Sequence, residues 1–250
     1  MRRFLAGLGL AGVLALSGCS LIWPGSSSGE SGPSAPASDK YLEEYAERWC
    51  YKHLDSRLRE NYGAVYTAVK DSFGRDETVS IRDSSEGTAR EYSTGLEIQL
   101  PEALRSREEA KLIYTAFTWD NPQFFYIGNT YSYKGYRSGG VDYYDRFTLV
   151  FTMNAREREQ AQNKLERVVD RLVNSRADTG EFASELYFHD QLLEICSYDK
   201  NAAASDDPAQ LFPNAFSAYG ALVEGKAVCE GYSRAMQLLL HEAGMKATLV

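Results

Sequence analysis

Along the chain, apolar positions alternate between helical and strand periods, and this order predicts the elements. From Leu42 to Val69, apolar residues at spacings of three and four (Leu54, Leu58, Tyr62, Val65, Val69) predict one or two helices. Thr78–Arg82 and Leu96–Leu100 alternate apolar and polar, the period of half-buried strands. Arg105–Trp119 reads as a helix whose mixed charges form a solvated face. Tyr126–Tyr133 and Phe147–Met153 read as strands around a turn at Ser138–Asp142. Asn154 and Glu157 have the spacing of a capping box, and Ala161, Leu165, Val168, Val169 and Leu172 form the stripe of the helix that follows. Glu181–Tyr198 is a further helix with Phe182, Leu186, His189, Leu193 and Cys196 on one side; a histidine on such a stripe is expected to be a hydrogen-bonded core residue. A polar loop over Asn201–Pro213 leads to a last helix with the stripe Tyr232, Ala235, Met236, Leu239, Leu240, Ala243. Gly244 closes it as a C′ glycine would, and Met245–Val250 then reads as a strand.

The first forty residues follow different rules. Arg2 and Arg3 precede an apolar run from Phe4 to Leu16, too short to span a bilayer, which predicts a secretory signal over residues 1–18. Leu16-Ser17-Gly18-Cys19 resembles the lipobox of bacterial lipoproteins, which implies acylation at Cys19. Residues 19–39, rich in Ser, Gly and Pro, bury almost nothing and read as a flexible stalk. The expected location is extracytoplasmic, with the membrane as partner through the lipid anchor.

Composition then narrows the function. Of 250 residues, 44% are hydrophobic and 25% charged, ordinary globular values. The formal charge is −8, and the leader carries two arginines and no acid, so the remainder is more acidic still. No Lys/Arg cluster offsets this, and nucleic acid is not an expected partner. Seventeen tyrosines recur beside the strands (Tyr126, Tyr131, Tyr133, Tyr136, Tyr143, Tyr144), where packing explains them better than a sugar-binding face. No CxxC pair, HExxH or GxxxxGK is present, so no metal site and no cofactor is predicted; Asp206 and Asp207 alone make a poor calcium site.

One segment carries chemistry. Gly225-Lys226 supplies a turn just before the last helix, so Cys229 falls in or just before its first turn. Unpaired N–H groups and the dipole at a helix N-terminus stabilise a thiolate, and also the oxyanion formed when sulfur attacks an acyl carbon. Gly231 is expected to leave room there for a substrate backbone. Cys50 and Cys196 are open to two readings, a disulfide or two separate buried thiols.

The run Tyr219-Gly220-Ala221-Leu222, Gly225 to Ala235 with Cys229-Glu230-Gly231-Tyr232, then Leu238-Leu239-Leu240 and Ala243-Gly244-Met245, resembles the nucleophile segment of the transglutaminase-like superfamily. The similarity covers about Phe182–Val250; the part before Phe182, including Asp120–Tyr126, is more weakly similar to N-terminal regions of bacterial surface proteins of this kind. The predicted strands and helices make residues 40–178 an α+β module, and the resemblance implies that a papain-like core, incomplete at its C-terminus, follows over residues 179–250, for an α+β fold overall. The resemblance also implies a Cys-His-Asp triad acting on amides by hydrolysis or acyl transfer. Only the nucleophile carries over, as Cys229; the family's His and Asp lie on later strands, and the sequence stops inside the first of these. His241 lies twelve residues along the same helix, about 18 Å from Cys229, and cannot serve as base. The function this implies is a surface-anchored cysteine enzyme acting on a protein, peptide or cell-wall peptide. A non-catalytic binding or scaffold lipoprotein is the alternative, and a cell-wall endopeptidase of the other papain-like branch ranks last, because Val228-Cys229-Glu230-Gly231 stands where that branch has Asp-Cys-Ser-Gly.

Overall fold

The computed structural model describes residues 48–82, 89–177 and 180–249. The signal segment, Cys19 and the stalk, together with the start of the first predicted helix and the module boundary near 178, lie outside the described residues. What is described is a mixed α+β structure.

Two helices open it, α1 (Trp49–His53) and α2 (Ser56–Asp71), separated at Leu54 and Asp55. Asp55 caps α2, its side chain accepting from the Leu58 amide at 2.8 Å, and Leu58, Tyr62, Val65 and Val69 are buried as their spacing predicts. Strands β1 (Val79–Arg82) and β2 (Ala89–Tyr92) pair antiparallel. Then come β3 (Gly95–Leu104), α3 (Arg107–Asp120), β4 (Ile127–Ser138) and β5 (Val141–Phe151). These three strands form an antiparallel sheet in the order β3-β5-β4, and β4 and β5 continue into a hairpin turning at Gly139–Gly140. Phe147, Leu149 and Phe151 of β5 enter the main core, while Val150 points to the other face and packs on Val79 and Ile81 of β1. Helix α4 (Ala155–Asn174) starts with the predicted capping box: Asn154 Oδ1 accepts from the Glu157 amide, and Glu157 accepts from the Asn154 amide.

The second part holds α5 (Glu181–Ile195), β6 (Ser197–Tyr198), short helices α6 (Lys200–Ala204) and α7 (Pro208–Leu211), a 3₁₀ turn (Pro213–Phe216), a π-helical turn (Gly220–Glu224), β7 (Lys226–Ala227) and α8 (Cys229–Glu242). Both parts share one apolar cluster. A run of ring contacts joins Tyr62, Phe117, Phe124, Tyr126 and Phe151, and Phe125 stacks on Tyr219 at 5.3 Å, carrying the core into the second part. Most of the strand tyrosines are packing residues: Tyr131 stacks on Tyr114 at 4.3 Å and Tyr133 meets Tyr144 edge-on at 4.8 Å. At the hairpin tip Tyr136 stacks on Tyr143, with Tyr136 exposed and Tyr143 half-buried.

A fully buried cation on α4 ties this frame together. Arg158 of α4 is fully buried and donates to the carbonyls of Ser72, Phe73, Arg75 and Met153 and to the Thr94 hydroxyl. Asp76 lies 3.5 Å away, and the guanidinium sits over the rings of Tyr126 and Phe151. With every donor direction used, the charge is solvated by protein dipoles instead of water.

Three expectations are corrected. Most of the stripe of α5 faces outward: Phe182, Leu186 and Leu193 are exposed and His189 with them, whereas Cys196, just past the helix end, is buried, and Ser184, Phe188 and Leu192 on the opposite side enter the core. Periodicity marks an apolar face without telling which partner covers it. The loop Asn201–Pro213 contains α6 and α7, with Asp199 capping α6 through its carboxylate. Finally, Met245–Leu249 joins no sheet, because no strand lies beside it among the described residues. Its Ala247 carbonyl is instead bound by the His241 side chain at 2.9 Å.

Candidate functional site

Cys229 is the first residue of α8, as its position after the Gly225 turn predicts, and its side chain is exposed. The local chain path is held from two sides. Gly225, at φ 69°, turns the chain into β7, which pairs in parallel with β6; Ser197 donates to the Gly225 carbonyl and Asp199 to the Ala227 carbonyl, each at 2.9 Å. On the other side, the Val228 amide donates to Ala215 of the 3₁₀ turn at 2.9 Å. A Cβ at Gly231 would stand 2.5 Å from the Ala215 carbonyl oxygen and 2.8 Å from the Ala227 Cβ. Gly231 is therefore a close-packing glycine that seats the helix start on its support, not the substrate clearance expected from sequence.

Val228, the N-cap residue, has an extended backbone and offers no capping side chain; Tyr232 is the first residue whose amide bonds back into the helix. The amides of Cys229, Glu230 and Gly231 thus open α8 with no partner within it, around an exposed thiol. Glu230 is turned away to Arg234, whose Nη2 it meets at 2.7 Å. Ser233, one turn on, donates to the Cys229 carbonyl at 3.0 Å. Tyr232 donates its hydroxyl to the Cys196 carbonyl at 2.6 Å, which ties the first turn of α8 to the end of α5; burial, then Cys196, pushes that phenol up to about 12.

The polar residues of α8 that reach inward are ones the apolar stripe did not show. Arg234 Nη1 donates to the Thr118 carbonyl at 3.2 Å and Gln237 Nε2 to the Trp119 carbonyl at 2.9 Å. These are last-turn carbonyls of α3, which lack helical partners, so α8 caps α3 with a cation and an amide. The Glu230/Arg234 spacing of four was the one sequence signal for this face. Leu238, outside the predicted stripe, is also fully buried.

The other candidates lie elsewhere. His189 is exposed and its Nδ1 meets Asp190 at 3.0 Å. His241 is buried near the far end of α8, and burial pulls its imidazole below the ordinary value. Among the described residues, no imidazole is hydrogen-bonded to Cys229. Cys50, Cys196 and Cys229 are all free thiols. Cys50 is pushed up to about 12 by burial and by Asp120, and burial also raises Cys196. Asp120 itself is buried and raised by that burial; its carboxylate caps α1, accepting from the amides of Cys50 and Tyr51 at 2.9 and 2.8 Å and from Tyr62 at 3.2 Å. This is a structural cluster. Among the described residues, no group of three His, Cys, Asp or Glu could hold a metal, and no helix is long and apolar enough to cross a membrane.

Neither a protein-family model nor a curated protein matches the chain.

Proposed function

We propose that the protein is a surface-anchored cysteine enzyme of the transglutaminase-like, papain-like kind, tethered outside the cytoplasmic membrane through Cys19, with Cys229 as nucleophile. The observation that carries this reading is the exposed thiol at the first position of α8, beside three amides without helical partners, on a helix start held by β6, β7 and the 3₁₀ turn. The sulfur attacks the carbonyl carbon of a peptide or glutamine amide; the C–S bond forms as the carbonyl electrons move onto oxygen, where the open amides stabilise the charge. Collapse of this oxyanion expels ammonia or an amine and leaves a thioester. Water then releases an acid, or a second amine forms a new amide. The proton leaving the thiol must reach the departing nitrogen through an acid–base group.

The absence of an imidazole bonded to Cys229 among the described residues favours a second reading, a binding or scaffold lipoprotein on the same fold. Two measurements separate them. Iodoacetamide at pH 8, followed by peptide mapping, should modify Cys229 well before Cys50 and Cys196, whose raised thiols stay protonated. The full-length protein should also link a fluorescent primary amine to dimethylcasein or release ammonia from it, and Cys229→Ala should lose this with its thermal transition intact. Turnover unchanged in Cys229→Ala refutes the nucleophile; selective labelling without turnover on any amide tested leaves the scaffold reading.

A further inference from the structure

Helix α5 packs on the core with one side and leaves most of its apolar stripe in solvent. Phe182, Leu186 and Leu193 are 79, 50 and 62% exposed, and His189 lies in line with them. The spacing runs i, i+4, i+7, i+11, so the four side chains form one ridge about 16 Å long. A groove of about 450 Å³ runs beside the ridge, between α5 and α8, with His189, Leu192 and Leu193 on its α5 wall. Large apolar side chains gathered in one exposed row mark a contact surface, whereas scattered ones need no explanation.

Charge says what fits there. Glu181 and Glu185 stand along one flank of the ridge and Asp190 and Glu194 along the other, all exposed. Helix α5 has no lysine or arginine, and among the described residues none of these four carboxylates meets one. Asp190 meets the His189 ring at 3.0 Å and Glu194 the Gln191 amide at 3.3 Å. Other acids are matched within the chain: Glu97 by Lys134 and Arg146, Glu109 by Arg57, Glu230 by Arg234. A second copy of this face would set the same four acids against these, and a bilayer surface attracts helices whose polar flanks are basic. The complement of an apolar ridge between two rows of unmatched carboxylates is an apolar face between rows of Lys and Arg.

We infer that the outward face of α5 is a docking surface for a cationic amphipathic helix of a partner protein, whose apolar side chains pack on Phe182, Leu186 and Leu193 and whose Lys and Arg side chains meet the two acidic rows. Recognition of an amphipathic helix works in this way, with apolar anchors at helical spacing and flanking charges that fix orientation and reject wrong partners. The ridge supplies most of the affinity, because exposed ion pairs are individually weak, and the charges select the partner. The inference goes beyond the Cys229 chemistry and does not rest on it.

The test titrates the full-length protein against a fluorescein-labelled amphipathic helix of leucine and lysine, about four turns long, and against the same peptide with glutamate for lysine. Fluorescence anisotropy is the readout. The lysine peptide should bind and the glutamate peptide should not. Changing the four acids together (Glu181→Gln, Glu185→Gln, Asp190→Asn, Glu194→Gln) should weaken binding about tenfold. A matching charge change at exposed positions elsewhere (Glu77→Gln, Glu91→Gln, Glu102→Gln, Glu159→Gln) should leave it within about twofold. Leu193→Asp, at an exposed position compatible with folding, should also weaken it about tenfold although it adds an acid, so this loss reports the apolar contact. No binding, equal binding of the two peptides, equal losses in the two acid sets, or full binding in Leu193→Asp overturns the inference. So does self-association, or binding to phosphatidylglycerol vesicles, that Leu193→Asp abolishes, since a second copy or a bilayer then holds the face.

Discussion

Gly231→Ala isolates how tightly the start of α8 is seated. The added methyl would stand 2.5 Å from the Ala215 carbonyl oxygen and 2.8 Å from the Ala227 Cβ, where ordinary contact begins at 3.4 Å. Neither neighbour is a flexible side-chain end, so the helix must withdraw from the 3₁₀ turn by about 0.9 Å. Overpacking of this kind costs about 1–3 kcal/mol. Withdrawal also stretches the Val228–Ala215 hydrogen bond, worth about 1 kcal/mol. Against this, alanine gains up to about 1 kcal/mol of helix propensity. The net expectation is a loss of about 1–3 kcal/mol, or a fall in Tm of roughly 2–10 °C for a chain of this size. Gly63→Ala is the control: it lies within α2 with nothing within 4 Å of its added methyl, so only the propensity gain remains and Tm should rise by roughly 2–4 °C. The unfolded chain loses the same freedom in both variants, and this contribution cancels between them. Calorimetry or circular dichroism reads the result. Two shifts of the same sign, or a Gly231→Ala protein as stable as the native one, refute the argument that this glycine is a contact.

Arg158→Met should cost about 3–5 kcal/mol in urea unfolding, because four carbonyls and one hydroxyl lose their donor, and Arg158→Lys should recover little, since an ammonium cannot span them. A loss under about 1 kcal/mol contradicts that account. For His241, burial holds the imidazole below its ordinary 6.5, so the folded state prefers the neutral ring. The stability this supplies is fully present above 6.5 and is lost as pH falls through the depressed value. Tm should therefore drop between pH 7 and pH 5, and the drop should be smaller in His241→Gln; equal drops rule the buried imidazole out as a cause.

Local signals read well from the sequence where the determinants are themselves local. The capping box at Asn154 and Glu157, the buried stripe of α2 and the placement of Cys229 after the Gly225 turn depend on neighbours within a few residues. The end of α8 belongs here too: with Gly244 at φ 78°, its amide bonds to the His241 carbonyl and the Met245 amide to that of Leu240, closing the helix as the glycine predicts. What sequence did not show depends on distant partners. Phe182, Leu186 and Leu193 are apolar at helical spacing, yet only the tertiary arrangement shows that the opposite side of α5 is the packed one. Arg234 and Gln237 look like surface residues until their partners, the last carbonyls of α3, are in view. Gly231 beside a thiol suggests a chemical role, whereas its contacts are with Ala215 and Ala227.

The caps that α8 places on α3 bear on how such a protein can be cut or recombined. The carbonyls of Thr118 and Trp119 are completed by side chains more than a hundred positions later in the chain. Excising residues 179–250 would strand a buried guanidinium and a buried amide on one fragment and bare helix-end carbonyls on the other. Grafting that segment onto a foreign carrier would meet the same mismatch unless the carrier presented a helix end at the same place. The thiol-bearing helix is therefore not a portable cassette. A change in Arg107–Asp120 and one in Cys229–Glu242 should trade off against each other across descendants of this sequence, as the two halves of a joint do.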